Sequence, residues 1–149
     1  MYVHSLKKHL QNTMATEQKP SKVLHVALWV VQVLLALSFG MAGFMKLTTP
    51  ISDLTAQMVW PGDIPAALVR FIGASELAAA VGLILPALTR IKPILTAYAG
   101  WGLVIVMLLA ALFHAGRGEY SGIAFNLVFM ALAFFVGWGR SKKAPIAAK

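Results

Sequence analysis

The sequence predicts an all-α fold: a membrane-embedded antiparallel four-helix bundle. Three observations carry that prediction. Hydrophobic residues fill 59% of the 149 positions and charged residues only 12%, whereas a soluble domain is about 25% charged. So little polar material cannot cover a water-facing surface, and the mean hydropathy of +0.76 agrees. The apolar residues are gathered into four long runs of the size needed to cross a hydrocarbon core, about 20 residues for ~30 Å. Short polar links join most of the runs, which makes sequence neighbours antiparallel neighbours in space. The composition excludes a soluble enzyme, a disordered regulator and a nucleic-acid module. The net charge of +8 is therefore read as the basic bias of membrane-protein flanks. With no cysteine in the chain, disulfides, thiolate catalysis, Cys-ligated zinc and iron–sulfur clusters are excluded as well.

The elements follow in order. Residues 1–22 are polar and basic and read as a cytoplasmic tail. Within them Met14, followed by Ala-Thr-Glu-Gln-Lys-Pro, reads as a start site, with the intact mass of the native protein as the check. The transmembrane domain spans 23–140, with helices expected at about 23–46, 66–88, 94–115 and 121–139. The first run is longer than the roughly 7–15 residues of a signal-peptide apolar region, and Lys46-Leu47-Thr48-Thr49-Pro50 is no small-residue cleavage site. Between the first and second runs, Trp60-Pro61-Gly62-Asp63 is a turn signal, and Ile51–Val59 reads as a short interfacial helix. Thr89–Pro93 and Gly116–Gly122 are the remaining links. The fourth run, Ile123–Trp138, is short, so it either sits nearly upright or borrows Tyr120–Gly122 to span. Residues 141–149 read as a basic cytoplasmic tail.

An even number of spans puts both termini on one side. The tails and the second link hold Lys7, Lys8, Lys19, Lys22, Arg90, Lys92, Arg140, Lys142, Lys143 and Lys149, ten of the 13 basic residues. The other side has Lys46 and Arg117, and Arg70 falls inside a span. Basic residues mark the cytoplasmic face, so both termini are expected in the cytoplasm and the protein in the plasma membrane. Helices in lipid approach closely through small residues. Ala74, Ala78 and Gly82 form such a stripe on the second helix, Gly40 and Gly43 on the first, and Ala133 and Gly137 on the fourth.

The polar residues inside the spans carry the functional information. A charged side chain at the bilayer centre costs roughly 2.5–3.5 kcal/mol on insertion scales and faces the bundle interior. At about 1.5 Å per residue, Glu76 lies about 15 Å past Ala66, near the midplane. Lys46, Arg70, His114 and Asn126 sit nearer the outer side, so every helix brings a polar group to the outer half. The inner half has mainly Gln32, Thr96 and Tyr98, all neutral. Glu76 and Arg70 point about 120° apart on their helix, so Glu76 is expected to pair with Lys46 or His114. Snorkelling to the interface explains Lys46, Arg70 and His114 as well as a site does, and Asn126 as a helix–helix hydrogen bond is the commoner reading. Glu76 is too deep to snorkel: it is protonated, structurally paired or part of a site. No catalytic residue is assigned. His114 is the only histidine within a span, His25 lying at the edge of the first, and no metal-ligand spacing occurs, so neither a transmembrane haem nor a metal is expected. Gly100-Trp101-Gly102, Gly116-Arg117-Gly118 and Gly137-Trp138-Gly139 lack the strand context of a dinucleotide site.

These segments resemble the DoxX-like family of small four-helix membrane proteins. The resemblance rests on Phe-Gly-Met-Ala-Gly-Phe-Met-Lys-Leu (39–47), Arg-Phe-Ile-Gly-Ala-Ser-Glu-Leu (70–77), Gly-Leu-Ile-Leu-Pro (82–86), Met-Leu-Leu-Ala-Ala-Leu-Phe-His (107–114) and Asn126. It covers about residues 23–140, with the Lys, Glu and His positions its most specific part. It implies a membrane protein of a kind often encoded with redox partners, some relatives of which associate with membrane oxidoreductase complexes while most have no assigned activity, and it does not imply an enzyme acting alone. Any redox chemistry then belongs to a partner or to a bound quinone; no other cofactor is evident. Three functions stay open. The first is an accessory, ligand-binding subunit with Lys46, Arg70, Glu76, His114 and Asn126 around an outer-facing pocket. The second is a structural protein that uses the same cluster to fasten the bundle and acts through other membrane proteins. The third, less favoured because four helices with no inverted repeat are few for alternating access, is a small-solute transporter or a homo-oligomeric pore. The partners expected are the bilayer, a membrane oxidoreductase and a second copy of the chain, and no nucleic acid.

Overall fold

The computed structural model describes residues 21–149. The expected tail over 1–22 lies outside the described residues except for Ser21 and Lys22, and so does Met14. Helix α1 spans Lys22–Thr48, a short α2 spans Ile51–Met58, and α3, α4 and α5 span Ala66–Thr89, Ile94–Gly116 and Tyr120–Trp138. One tight helical turn at Trp60–Gly62 follows α2, and a wider turn over Gly139–Lys143 extends α5. There is no strand among the described residues. Four helices are long and apolar enough to cross a membrane, the fourth running Tyr120–Lys143. The last helix thus begins at Tyr120 and continues through the wider turn to Lys143, so Ser141–Lys143 are helical.

Prolines set the breaks. Pro50 follows the end of α1 and begins α2, Pro65 precedes α3, and Pro93 precedes α4, positions where a missing N–H costs no helical bond. Val59 adopts φ +53°, a strained value for a β-branched residue. It turns the chain between α2 and Trp60.

The four long helices form a ring in which α1 packs on α3, α3 on α4, α4 on α5 and α5 back on α1. All neighbours are antiparallel. We call the end carrying α2 and the Gly116–Glu119 link the cap end, and the end carrying Lys22, the Arg90–Pro93 link and the C-terminus the terminal end. The core draws two residues from each long helix: Leu35, Phe39, Ala80, Leu83, Leu103, Met107, Ala133 and Val136. The outside is apolar too, with Leu37, Phe44, Ile105, Leu112 and Val128 exposed. Such a surface suits lipid and not water. The chain is an integral, multi-pass membrane protein.

Backbone contact in the ring is made by glycine. A Cβ on Gly43 would lie 2.6 Å from the Gly73 carbonyl oxygen, and one on Gly100 would lie 2.8 Å from the Gly137 nitrogen. The expected stripe on the second long helix is corrected. Ala74 and Ala78 are exposed, and the face turned to α1 is Val69, Gly73, Glu76, Ala80 and Leu83. Alanine is as comfortable against lipid as against a helix, so its spacing alone does not choose the buried face. Gly82 turns to α4, where it faces Ala99.

Candidate functional site

A cavity of about 560 Å³ lies in the cap-end half and is walled by all four long helices. That is within the range of small-molecule sites, about 300–1,000 Å³. Its lining is mostly Phe, Leu, Met, Val and Ala, and its ionisable and amide groups are Lys46, Glu76, His114 and Asn126. Four of the five residues singled out from sequence thus converge on one space.

Lys46 Nζ donates to Glu76 Oε2 at 2.7 Å, and the two side chains are only 8% and 6% exposed. The Gly43–Gly73 contact is what brings them together. A Cβ on Gly73 would stand 2.7 Å from the Lys46 Cβ, so the two helices approach closely enough for a cation and an anion thirty positions apart to meet. Of the two partners sequence allows for Glu76, geometry selects Lys46. Asn126 is 5% exposed, lines the cavity from α5, and forms no side-chain hydrogen bond with another described residue. A buried amide normally has a partner; this one faces open space.

Arg70 is elsewhere. Its Nη1 donates to the carbonyl oxygens of Lys46 and Thr49, the latter at 2.8 Å. These are carbonyls at the end of α1, which lack partners in any helix. Arg70 is an α1 cap and not a cavity residue, and it fixes the backbone from which Lys46 projects.

His114 lines the cavity and also faces outward, its Nδ1 2.5 Å from Glu119 Oε2. Gly122 leaves the room it needs, since a Cβ there would stand 2.7 Å from Nδ1. Arg117 then joins two links, donating from Nε to Glu119 Oε1 at 2.7 Å and lying 2.6 Å from Asp63 Oδ2 through Nη1. Its hydrogen bond from Arg117, then that with His114, holds the Glu119 carboxyl below the ordinary carboxylate range, and its bonds to Glu119 and Asp63 raise the Arg117 guanidinium further. The segment tied down by Asp63 includes Trp60 and Ile64, both cavity residues. The Trp60 ring meets Phe113 edge-on at 6.2 Å and lies 6.0 Å from Lys46 Nζ. Trp60 and its latch, Asp63–Arg117–Glu119–His114, cover the cap end of the cavity. Sequence reading missed the latch, because Asp63, Arg117 and Glu119 look like ordinary loop charges and only tertiary contact joins them.

A second polar cluster sits at the terminal end, where only neutral groups are expected. Arg140, read from sequence as a basic flank, is 3% exposed. It donates from Nε to Gln32 Oε1 at 2.6 Å, and Gln32 donates to the Leu83 carbonyl at 2.7 Å. Its Nη1 reaches His25 Nδ1 at 3.1 Å and the Ala144 carbonyl at 3.2 Å, and its guanidinium lies over the Trp29 ring. The Nη2 atom has no partner among the described residues. The cluster ties α1, α3 and α5 together far from the cavity. Basic residues at helix ends so commonly mark topology that sequence gives no sign of this one turning inward.

Among the described residues no group of three or more His, Asp or Glu side chains is arranged to hold a metal ion. One family's sequence model, described as the DoxX-like family, matches residues 30–136, a stretch that includes Lys46, Arg70, Glu76, His114 and Asn126. No curated protein and no solved structure gives a significant match.

Proposed function

The chain belongs to the DoxX-like family, and from that premise we propose that it is a ligand-binding accessory component of a membrane redox system, holding a small lipophilic ligand of the quinone class in its cavity. The observation that carries the reading is the Lys46–Glu76 pair in the wall of an otherwise apolar cavity of about 560 Å³. A pair serving only to fasten α1 to α3 needs no open space beside it. A quinone needs apolar walls for its ring and hydrogen-bond donors for its carbonyl oxygens. The Lys46 ammonium and the Asn126 amide, which has no side-chain partner among the described residues, are such donors. Glu76 and His114 are the groups that hold or pass a proton at the bound head, and His114 stands between the cavity and Glu119 at the surface. A bound quinone would supply the two-electron chemistry, taking two electrons from a redox partner and two protons; this chain would supply the pocket, the hydrogen-bond donors and the groups that relay the protons.

The test is thermal protection. The purified protein is heated in mild detergent with and without a short-chain ubiquinone. A rise in unfolding temperature is expected for the wild type, and none for Glu76→Gln or Lys46→Met. Undiminished protection in both variants overturns the ligand site. Native mass spectrometry from mild detergent then reports any co-purifying quinone, oxidoreductase subunit or second copy.

A structural reading has its own support, since the pair bridges α1 and α3 directly. It predicts that replacing Lys46 and Glu76 together by apolar residues restores function along with stability.

The terminal end is assigned to the plasma membrane's cytoplasmic side. Lys22, Arg90, Lys92, Arg140, Lys142, Lys143 and Lys149 lie there, while Asp53, Asp63, Glu76 and Glu119, all the carboxylates among the described residues, lie in the cap-end half. The asymmetry of the basic residues supports the assignment.

A further inference from the structure

The cavity is covered toward water and open toward lipid. At the terminal end α3 and α4 are in contact, a Cβ on Gly82 standing 3.0 Å from that of Ala99. The helical row that includes Gly82 continues toward the cap end through Ser75, Phe71 and Leu68. The row of Ala99 continues through Val106, Leu109 and Phe113. These continuations line the cavity, so the two helices have the cavity between them there. Phe71 and Leu109 line it while remaining 68% and 61% exposed. Such side chains stand at the rim of an opening on the bilayer-facing side of the bundle. Phe125 on α5 also lines the cavity while 58% exposed, but between α3 and α4 the exposed lining residues come from both facing rows, Leu68 and Phe71 on one and Leu109 on the other. The rim residues Leu68, Phe71, Ser75, Val106 and Leu109 carry no charge, and the ionisable and amide groups Lys46, Glu76, His114 and Asn126 lie elsewhere in the lining. The mouth toward water is closed by Trp60 and by the bridge from Arg117 to Asp63 and Glu119.

We propose that the occupant enters sideways from the bilayer between α3 and α4, and that it is a single-tailed amphiphile. Its compact head, bearing acceptor oxygens, reaches Lys46 and Asn126. Its hydrocarbon tail leaves past Phe71 and Leu109 into the surrounding lipid. The distribution of polarity dictates this. A water-soluble solute meets a tryptophan and an ion-pair latch on its path and an apolar rim on the alternative one. A wholly apolar molecule leaves the Asn126 amide unsatisfied. A head with a tail satisfies both ends, and its tail loses no lipid contact on binding.

The inference rests on the cavity being a ligand site, and the experiment separates the two. Two probes share one dimethoxy-methyl-benzoquinone head, the first without a tail and the second with a decyl tail. Binding in lipid nanodiscs is read as the part of the tryptophan quenching that Trp60→Phe removes, at matched probe concentration in the lipid. Ala110→Phe narrows the opening from α4 with Lys46, Glu76 and Asn126 unmutated, and Ser75→Phe narrows it from α3 should the first variant fold poorly. The tailed probe is expected to bind the wild type at least about tenfold more tightly than the bare head, and a narrowing variant to remove most of that advantage, the tailed probe losing more affinity than the bare head. Equal affinity of the two probes, or a tail advantage untouched by both narrowing variants, overturns the lateral route and leaves the ligand site standing. No binding of either probe to the wild type overturns the ligand site and the route with it.

Discussion

Gly43 and Gly73 face each other so closely that a Cβ on the first would lie 2.6 Å from the carbonyl oxygen of the second, and one on Gly73 would lie 2.9 Å from the carbonyl oxygen of Gly43. The contact is reciprocal and backbone to backbone, so neither helix can yield by turning a side chain. It lies one helical turn from Lys46 on α1 and from Glu76 on α3. The separation of α1 and α3 and the length of the ion pair are therefore one quantity.

Gly73→Ala is expected to destabilise the protein by about 1–3 kcal/mol, the usual range for an overpacked interior, and to lengthen the Lys46–Glu76 contact. Gly102→Ala, where a Cβ would meet nothing within 4 Å, is the control and should unfold at the wild-type temperature or slightly above. Equal behaviour of the two variants in detergent denaturation shows that α1 and α3 are not held by this contact.

Breaking the buried pair from either side strands a charge or a donor away from water. Lys46→Met is expected to cost about 3–5 kcal/mol, whereas the double variant Lys46→Met with Glu76→Leu recovers most of that loss, because paired apolar groups carry no desolvation penalty. Ligand protection should stay lost in the double variant. Recovery of stability without protection separates the two roles of the pair, and recovery of both favours the structural one.

What sequence revealed here, and what it concealed, follows from the solvent. In a chain with so few charges, a lysine, a glutamate and a histidine inside apolar runs stand out. Lys46, Glu76, His114 and Asn126 are legible because lipid makes each of them costly to place. Arg70 was equally visible, yet its role was not, because caps at helix ends are made with backbone carbonyls that carry no sequence signal. Arg140 was hidden by the opposite effect, as one basic residue among several in a flank where cations are ordinary. The spacing of Ala74 and Ala78 points to the wrong face of α3, because both are small but indifferent to lipid, and only Gly73 has a reason to be small.

The latch has a defined response to pH. Arg117 and His114 hold the Glu119 carboxyl below its ordinary range. A carboxyl depressed in the folded state stabilises fully above its unfolded value, about 4.3, and loses that contribution as pH falls through the folded one. Arg117, raised from an already high value, stays charged throughout. This carboxylate therefore leaves the latch closed from pH 8 to 5 and releases it only in stronger acid. Fluorescence of Trp60, isolated by subtracting the Trp60→Phe spectrum, should show no Glu119-dependent change over that range. Glu119→Gln combined with Asp63→Asn, which removes both carboxylates from Arg117, should give the released spectrum already at pH 7. A release in the wild type between pH 8 and 5 that Glu119→Gln abolishes contradicts this sign.

Arg140 should matter to stability more than its neighbours. Arg140→Ala removes a charged partner from Gln32, His25 and the Ala144 carbonyl. Hydrogen bonds to charged groups contribute about 1.5–3 kcal/mol each when buried. Lys142→Ala removes an exposed cation and should be nearly neutral. Arg140→Lys keeps the charge but lacks the planar fork that reaches several acceptors, and is expected to fall between the two. Identical unfolding temperatures for all three show that the terminal cluster adds nothing. Quinone protection, read at the other end of the bundle, should be unaffected in each.

The absence of cysteine lets orientation be tested without background. Ser52 is exposed on α2 at the cap end and Lys142 is exposed at the terminal end, and neither side chain contacts the cavity. Single Ser52→Cys and Lys142→Cys variants report the two faces separately. If the basic residues of the terminal end face the cytoplasm, a membrane-impermeant maleimide labels Ser52→Cys in intact spheroplasts, and labels Lys142→Cys only after permeabilisation. The reverse pattern puts the cavity's cap end in the cytoplasm and moves the lateral opening to the inner leaflet. Charge-removing substitutions extend the test. The positive-inside bias counts lysine and arginine near the ends of spans, so removing Arg90, Lys92, Lys142 and Lys143 together should yield a mixed population in which both single-cysteine positions label from outside. A population that remains uniform shows that topology is set by something other than the charge asymmetry.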